Sequence, residues 1–375
     1  MRTYPSFRIL AQNAGLNSMT KYNLPTVAEL IDKTEGGRHL FEVVSLFAGG
    51  GGSSTGYRMA GGKVLAVNEF VPEAVNTYQA NWPTTKILPN DIRELGGRDI
   101  LDAIDKAPGE LDILDGSPPC SAFSTAGSRD KGWGKTKKYS DTQQENVEDL
   151  FFEYIRILRD IRPKVFVAEN VSGLTKGKAR GYLNQVLREL RASGYHVECK
   201  VLDAKWLSVP QSRQRTIFVG IRDDLYWPSL KGALHPKPRS DRPTLREAFE
   251  GLTFTEEDRK QTDISKYAIY QELVKLEPGG QSDKYFQLVK ADPQSVSGCV
   301  TAKSGVSSAA SVRHWDNRAF TVREVKRIMS IPDDYILTGT YQQQVERLGR
   351  MVAPLVMKAV AERILALGVL DEDSK

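Results

Sequence analysis

Cysteine is scarce in this chain. Its 375 residues include only three, Cys120, Cys199 and Cys299, and they lie far apart. That number and spacing exclude a disulfide framework and a cysteine-based zinc site, so we expect no metal and a reducing, cytoplasmic compartment. Neither a signal-peptide pattern nor an apolar run of about 18 residues is found, which predicts that no segment spans a membrane.

The glycine-rich stretch at residues 49–56 lacks two familiar fingerprints. No G-x-G-x-x-G can be read there, because Ser54 and Thr55 stand where the third glycine would be, and no Gly-Lys-Ser/Thr follows. A dehydrogenase and a P-loop nucleoside triphosphatase are therefore disfavoured. What is present is a short apolar run, the glycines, and Glu69 twenty residues after Gly49. This spacing predicts a turn for an adenosine-type cofactor, with the carboxylate on the ribose hydroxyls.

Strand-like and helix-like segments alternate from residue 41 onward, which predicts an α/β fold with a doubly wound, mostly parallel sheet. Apolar spacing predicts helices over 145–163, around 181–193 and over 343–366, and Thr321 with Glu324 fits a capping box. The alternation fails over 228–318, which predicts a second, smaller domain. The predicted organisation is an N-terminal extension (1–40), a catalytic and cofactor-binding domain (41–227), the smaller domain (228–318), and a return to the first domain (319–375).

Cys120 follows two prolines directly after the third predicted strand. Pro118 and Pro119 fix the backbone and carry no N–H, so the thiol is presented rigidly at the carboxyl edge of the sheet. Glu169 ends the next strand at the same edge, where it is either a proton donor or a carboxylate paired with an arginine. Cys120 and Glu169 are therefore candidate reacting groups.

Two polar segments complete the candidate site. Gln211, Arg213 and Arg215 stand at alternate positions, so on a strand they would share one face, as a solvated edge or a binding face. The segment 128–138 is basic around one tryptophan and is either a solvated loop or a phosphate-contacting loop. Its basic residues are Arg129, Lys131, Lys135, Lys137 and Lys138. The net charge of +5 permits a polyanionic partner without requiring one.

Four short motifs occur in order, each where a predicted strand meets a loop: FAGGGG, SPPC, ENV and QSRQR. With them, the chain strongly resembles the DNA cytosine methyltransferases that modify carbon 5, over about 41–225 and 318–366. "RAFTVREVKRIMSIPDD" (318–334) and "LGRMVAP" (348–354) are similar to that family's last two motifs. The resemblance implies a Rossmann-like fold of the S-adenosylmethionine-dependent class, with residues 228–318 as the target-recognition domain.

The resemblance also implies roles for the candidate residues. The Cys120 thiolate would attack carbon 6 of cytosine, and Glu169 would protonate ring nitrogen 3. Arg215, with Arg213 nearby, would hold the carbonyl oxygen of the base and the active-site loop, and the Pro119 carbonyl would receive the exocyclic amine. Gln211 and Ser124 complete the implied substrate contacts.

The implied cofactor is S-adenosylmethionine. Its expected contacts are Phe47, Ala48, Gly49, Gly51, Glu69, Asp91, Ile92, Leu150, Arg350 and Val352. A cytosine inside a duplex must be flipped out to reach Cys120, and the basic loop is then expected to contact phosphates. The expected partners are double-stranded DNA and a cognate restriction endonuclease. We expect a monomer that associates with the nucleoid when bound to DNA.

One position departs from the family pattern. Arg350 stands where the final motif usually has asparagine after its glycine, on the donor side of the cofactor site. A guanidinium beside a sulfonium needs an anion, which is either the ordinary aminoacyl carboxylate or a protein acid, or an extra carboxylate on the transferred group. The second alternative implies carboxy-S-adenosylmethionine as donor and 5-carboxymethylcytosine as product. A tRNA cytosine-5 methyltransferase is a further alternative. A catalytically silent relative is disfavoured because Cys120, Glu169 and Arg215 are all present.

Overall fold

The computed structural model describes residues 22–371, except 38, 120–136, 139–142, 145–148, 178, 286 and 307–310. The strands are β1 Phe41–Leu46, β2 Gly62–Asn68, β3 Lys86–Leu88, β4 Ile113–Gly116, β5 Lys137–Lys138, β6 Gln143–Gln144, β7 Val165–Val171, β8 Tyr195–Asp203, β9 Gln214–Arg222, β10 Val289–Lys290 and β11 Val312–Arg313. The helices are α1 Val27–Glu35, α2 Gly52–Met59, α3 Pro72–Asn81, α4 Gly97–Ala103, α5 Leu150–Ile161, α6 Ala179–Ala192, α7 Leu245–Ala248, α8 Glu256–Thr262, α9 Ile269–Lys275, α10 Val322–Ile328, α11 Tyr341–Arg350 and α12 Pro354–Leu365.

Seven strands form one sheet in the order β3-β2-β1-β4-β7-β9-β8. β9 runs antiparallel to both of its neighbours, β7 and β8, and every other pairing in this sheet is parallel. The predicted doubly wound, mostly parallel architecture is therefore confirmed. The chain winds outward in one direction from β1 and in the other from β4. The crevice between the carboxyl ends of these two strands is the switch point where such sheets bind ligands.

Alternate strand residues bury opposite faces of the sheet, as a pleated strand requires. Val43 and Ile217 belong to a core shared with α2 and α12, whereas Val44 and Phe218 belong to a core shared with α5 and α6. Both cores consist of side chains with almost no exposed surface. The strands are therefore covered by helices on both faces, which fixes their loops at the two edges.

The predicted helix over 343–366 is wrong in one respect, because the structure has two helices there. α11 ends at Arg350, the C-cap Met351 is extended (φ −62°, ψ 150°), and α12 begins at Pro354. Proline lacks the N–H that a continuing helix would need but suits the first turn of a new one. The extended link 351–353 matters because it crosses the glycine turn described below. The capping box of Thr321 and Glu324 at α10 is confirmed.

The segments outside the sheet also pack closely. In α1, Val27 and Leu30 join the core beside α2, and the Val27 N–H donates to both carboxylate oxygens of Asp334 (2.9 Å each). Within 228–318, a small separate core forms around Ile264 and Leu273, and β10 and β11 form a parallel two-stranded pair. The domain boundaries given above stay predictions. In the described part of the chain, no helix is long and apolar enough to cross a membrane.

Candidate active site

The glycine turn after β1 is the first part of the site. Phe47, Gly49 and Gly51 all have positive φ (55°, 54° and 87°), and the chain then enters α2. The Ala48 N–H donates to the Asn68 carbonyl at the end of β2 (3.0 Å), which draws the turn toward the next strand. Gly51 cannot be replaced without strain, because a Cβ there would lie 2.5 Å from the Tyr335 hydroxyl. The turn is thus held tightly at the switch point.

Glu69 lies where the sequence predicted it, at the end of β2 beside this turn. Its carboxylate accepts hydrogen bonds from the backbone N–H groups of Gly49 (2.7 Å) and Val71 (2.8 Å). Burial raises the pKa of Glu69, and these N–H groups oppose the rise. The carboxylate therefore fixes the glycine turn directly, and its contact with a ribose stays a prediction.

The link between α11 and α12 closes the turn from the other side. A Cβ on Gly52 would lie 2.2 Å from the Val352 carbonyl oxygen, and one on Gly50 would lie 2.1 Å from Met351 Cε. Val352 is therefore beside the turn, and its contact with the cofactor stays a prediction. Arg347, which no sequence pattern singled out, packs its aliphatic stem against Gly50, and its charge opposes the raised pKa of Glu69.

The Arg350 side chain contacts a residue of its own helix, α11. Its Nη2 and Nε donate to Glu346 Oε1, one helical turn back (2.8 and 3.0 Å). The anion that the sequence required for Arg350 is therefore present as a protein carboxylate. This contact favours the alternative in which Arg350 pairs with a protein acid over the one in which it binds an extra carboxylate on the transferred group.

Asp91 and Ile92 follow β3, and Leu150 is the first residue of α5. Asp91 caps a short 3-10 turn by accepting the Arg93 N–H (3.1 Å), and Arg93 also donates to Asp149 just before α5 (2.7 Å). Ile92 and Leu150 are buried in the α5-side core. Both side chains are held within this core, and their contact with an adenine stays a prediction.

The opposite wall is formed by β7 and β9. Arg215 Nε donates to Glu169 Oε1 at 2.8 Å, and β9 runs antiparallel to β7 so that Arg215 lies opposite Val171. Asn170 Nδ2 donates to the Pro118 carbonyl (3.2 Å), which ties the proline segment to this strand. The alternative of an arginine-paired carboxylate is thus observed, and Glu169 is next in the chain to Asn170, which contacts Pro118. Cys120, Ser124, Arg129, Lys131 and Lys135 lie outside the described residues, and Lys137 and Lys138 form strand β5.

Gln211 and Arg213 do not join Arg215. β9 begins only at Gln214, so the alternation that would place all three on one face does not extend back to them. Gln211 is fully buried, accepts the Val300 N–H (3.0 Å) and contacts Met329 Sδ (2.9 Å). Arg213 is buried against backbone carbonyls. Both side chains therefore belong to an internal junction, and their roles as substrate and catalytic contacts stay predictions.

A buried acid beneath the site was also missed. Asp115 of β4 is 1% exposed and accepts hydrogen bonds from Ser45 Oγ (2.6 Å) and the Tyr57 hydroxyl (3.1 Å). Burial, assisted by the negative charge of Glu169, raises its pKa to about 7. The signal was a lone acid inside the apolar segment "ILDG", a residue type that is rarely fully buried.

Together these features define a doubly wound α/β enzyme with a cofactor crevice at the switch point and a glutamate–arginine pair beside it. The family model for C-5 cytosine-specific DNA methylase matches residues 41–366. The chain belongs to this family and is a DNA (cytosine-5)-methyltransferase, a class of enzymes dependent on S-adenosylmethionine.

Curated relatives agree with this assignment, and a solved structure agrees with the fold. The chain is 31% identical to the type II methyltransferase M1.HphI of Haemophilus parahaemolyticus over 351 residues, which covers 86% of both chains. It is 29% identical to M.SacI of Streptomyces achromogenes, covering 89% of this chain and 95% of that one. Among solved structures, the fold is similar to that of Spodoptera frugiperda DNMT2, with a TM-score of 0.62 and 20% identity over 88% of this chain and 100% of the other.

Proposed function

We propose that the enzyme methylates a flipped-out cytosine in double-stranded DNA through a covalent adduct of Cys120. The observation that carries this proposal is the Glu169–Arg215 pair, held at 2.8 Å beside the proline segment that leads into Cys120. An acid and a cation at this edge suit a pyrimidine ring, which offers a ring nitrogen to protonate and a carbonyl to bind.

In this mechanism the side chains divide the work around the base. When the base binds and Arg215 leaves Glu169, the Glu169 carboxylate takes up the proton that the Cys120 thiol gives up. The Cys120 thiolate then forms a bond to carbon 6, and Glu169 delivers this proton to nitrogen 3 as the ring accepts the electron pair. Arg215 releases Glu169 and binds the base carbonyl, while the Pro119 carbonyl accepts the exocyclic amine. After transfer, loss of the carbon 5 proton to solvent restores the double bond and expels the Cys120 thiolate, and Glu169 takes back the proton of nitrogen 3. General acid catalysis of this kind contributes about 10²- to 10⁴-fold.

The glycine turn suits S-adenosylmethionine. In the described part of the chain, a Cβ on Gly49 would meet no atom within 4 Å, so there is open space beside this backbone. When bound, S-adenosylmethionine would supply the methyl group that is transferred to carbon 5. Phe47, Ala48, Glu69 and Val352 would line that space. The Arg350–Glu346 pair supports the unmodified donor over its carboxylated analogue.

We propose further that the chain acts as a monomer on duplex DNA with a restriction endonuclease as its cellular counterpart. The type II names of its relatives support the second point. The basic residues 129–138 would neutralise DNA phosphates, which gives affinity without sequence preference.

Nucleoside mass spectrometry tests the reaction and the donor together. Duplex DNA is incubated with the enzyme and either S-adenosylmethionine or carboxy-S-adenosylmethionine, with transfer RNA as a parallel substrate. We expect 5-methylcytosine in DNA from the first donor. Preferential 5-carboxymethylcytosine would contradict the donor assignment, and modification of the RNA alone would contradict the DNA substrate.

A further inference from the structure

Arg213 occupies a junction between the two halves of the site. We propose that it is a positioning residue that holds the donor-side link 351–353 against the glycine turn, and that it makes no contact with the base. The proposal rests on the function above, because it concerns the donor site of the same reaction.

The guanidinium of Arg213 reaches two separate segments. Its Nη1 donates to the Val300 carbonyl (2.7 Å) and contacts Cys299 Sγ (3.4 Å). Its Nη2 donates to the carbonyls of Gly349 (2.8 Å) and Met351 (3.1 Å). One planar fork therefore joins the segment 299–300 to the end of α11 and the start of the link.

These contacts lead directly to the glycine turn. Met351 packs over Gly50, and the Val352 carbonyl packs over Gly52, each at a distance that leaves no room for a Cβ. The carbonyls of the last helical turn lack partners within their own helix, so an outside donor must satisfy them. Arg213 supplies that donor at Gly349 and Met351, and the path of the link depends on it.

The backbone of Arg213 is fixed as firmly as its side chain. Its N–H donates to Asp203 Oδ1 (3.0 Å), and its carbonyl accepts the Ala204 N–H (3.1 Å). Arg215, the partner of Glu169, follows two residues later. Arg213, which contacts the link beside the donor, and Arg215, which contacts Glu169 beside the base, thus lie on one short stretch of chain that is fixed by hydrogen bonds.

The environment also excludes a simple replacement. Arg213 is 3% exposed, and burial lowers its pKa to about 10, so it keeps its charge at neutral pH. Lysine would bring the charge as a single point and could not span both segments with a planar fork. Arg213→Lys should therefore weaken the hydrogen bonds to the link 351–353 while keeping a positive charge at this buried position.

Arg313 provides a matched control. It is also buried, its pKa is also lowered to about 10, and it donates to the carbonyls of Gly305 (3.2 Å) and Val306 (3.5 Å). Those carbonyls belong to a different loop from the glycine turn. Arg313→Lys should thus report the general cost of changing a buried guanidinium in this chain.

The experiment measures the dissociation constant of S-adenosylmethionine without DNA, by calorimetry, and then kcat and KM for the donor. For Arg213→Lys we expect donor binding weakened about tenfold or more, the loss typical of charge-assisted hydrogen bonds, with kcat recovering at saturating donor. Arg313→Lys should lower the melting temperature but leave donor binding as in wild type. Arg213→Gln serves as a second variant.

Three outcomes would overturn the proposal. The first is unchanged donor binding with a lower kcat in Arg213→Lys. The second is donor binding weakened as much in Arg313→Lys as in Arg213→Lys. The third is failure of both Arg213 variants to fold while Arg313→Lys folds. Because donor binding is measured without DNA, the result stands apart from the proposed function. Absence of product from the wild-type enzyme would contradict that function alone.

Discussion

Replacing Gly52 by alanine tests the packing that closes the donor crevice. The new Cβ would lie 2.2 Å from the Val352 carbonyl oxygen and 3.0 Å from Met351 Cβ. Because the first of these atoms is backbone, the link 351–353 must move. Overpacking of this kind costs about 1–3 kcal/mol. If this whole cost reduced the free energy of donor binding, the dissociation constant of the donor would rise about 5- to 150-fold.

Gly181→Ala is the matched control, because a Cβ at Gly181 in α6 would meet nothing within 4 Å. Alanine there should stabilise the helix by about 0.5–1 kcal/mol. The assay is thermal unfolding of both variants together with calorimetric titration by S-adenosylmethionine. We expect Gly52→Ala to lose stability, donor affinity or both, whereas Gly181→Ala keeps both. A Gly52→Ala enzyme as stable and as tight as wild type would refute the close approach of Val352 to the turn.

Three further predictions follow from the site. Glu169→Gln should slow single-turnover methylation by about 10²- to 10⁴-fold, since it removes the proposed acid; an unchanged rate would assign the proton elsewhere. Burial raises the folded-state pKa of Asp115 to about 7, above its unfolded value, so its stabilising contribution is complete at low pH and is lost as pH rises toward 7. Urea unfolding should therefore show a shallower decline with pH for Asp115→Asn, and parallel curves would contradict the buried acid. Replacing Lys135, Lys137 and Lys138 together by glutamine should flatten the salt dependence of DNA binding by about 0.9 in log–log slope for each phosphate that the loop no longer neutralises, and an unchanged slope would favour a solvated loop.

The sequence predicted the sheet because alternation of apolar strands and amphipathic helices is a local signal. It also placed Glu69 correctly at the end of β2, whereas Glu169 lies two residues before the end of β7. It could not place Gln211 and Arg213, because period-2 alternation holds only inside a strand and β9 begins at Gln214.

Tertiary contacts decided the remaining differences. Helical spacing runs through 343–366, and only Pro354 signalled the break that carries the link over the glycine turn. Arg350 and Arg347 are both arginines of α11, and the direction each faces depends on the helix's packing. Asp115 acquires its raised pKa from burial beneath other elements and from the charge of Glu169 on β7, neither of which its own segment reveals.

The most direct test of the central claim is covalent trapping on duplex DNA in which the target cytosine carries fluorine at carbon 5. Fluorine cannot leave as a proton does, so the final elimination is blocked after methyl transfer. With S-adenosylmethionine present, we predict a denaturation-resistant complex of protein and DNA whose cross-linked peptide contains Cys120, and no such complex with Cys120→Ala. An enzyme that methylates ordinary DNA but forms no adduct with the fluorinated duplex, or forms it through another residue, would contradict the account.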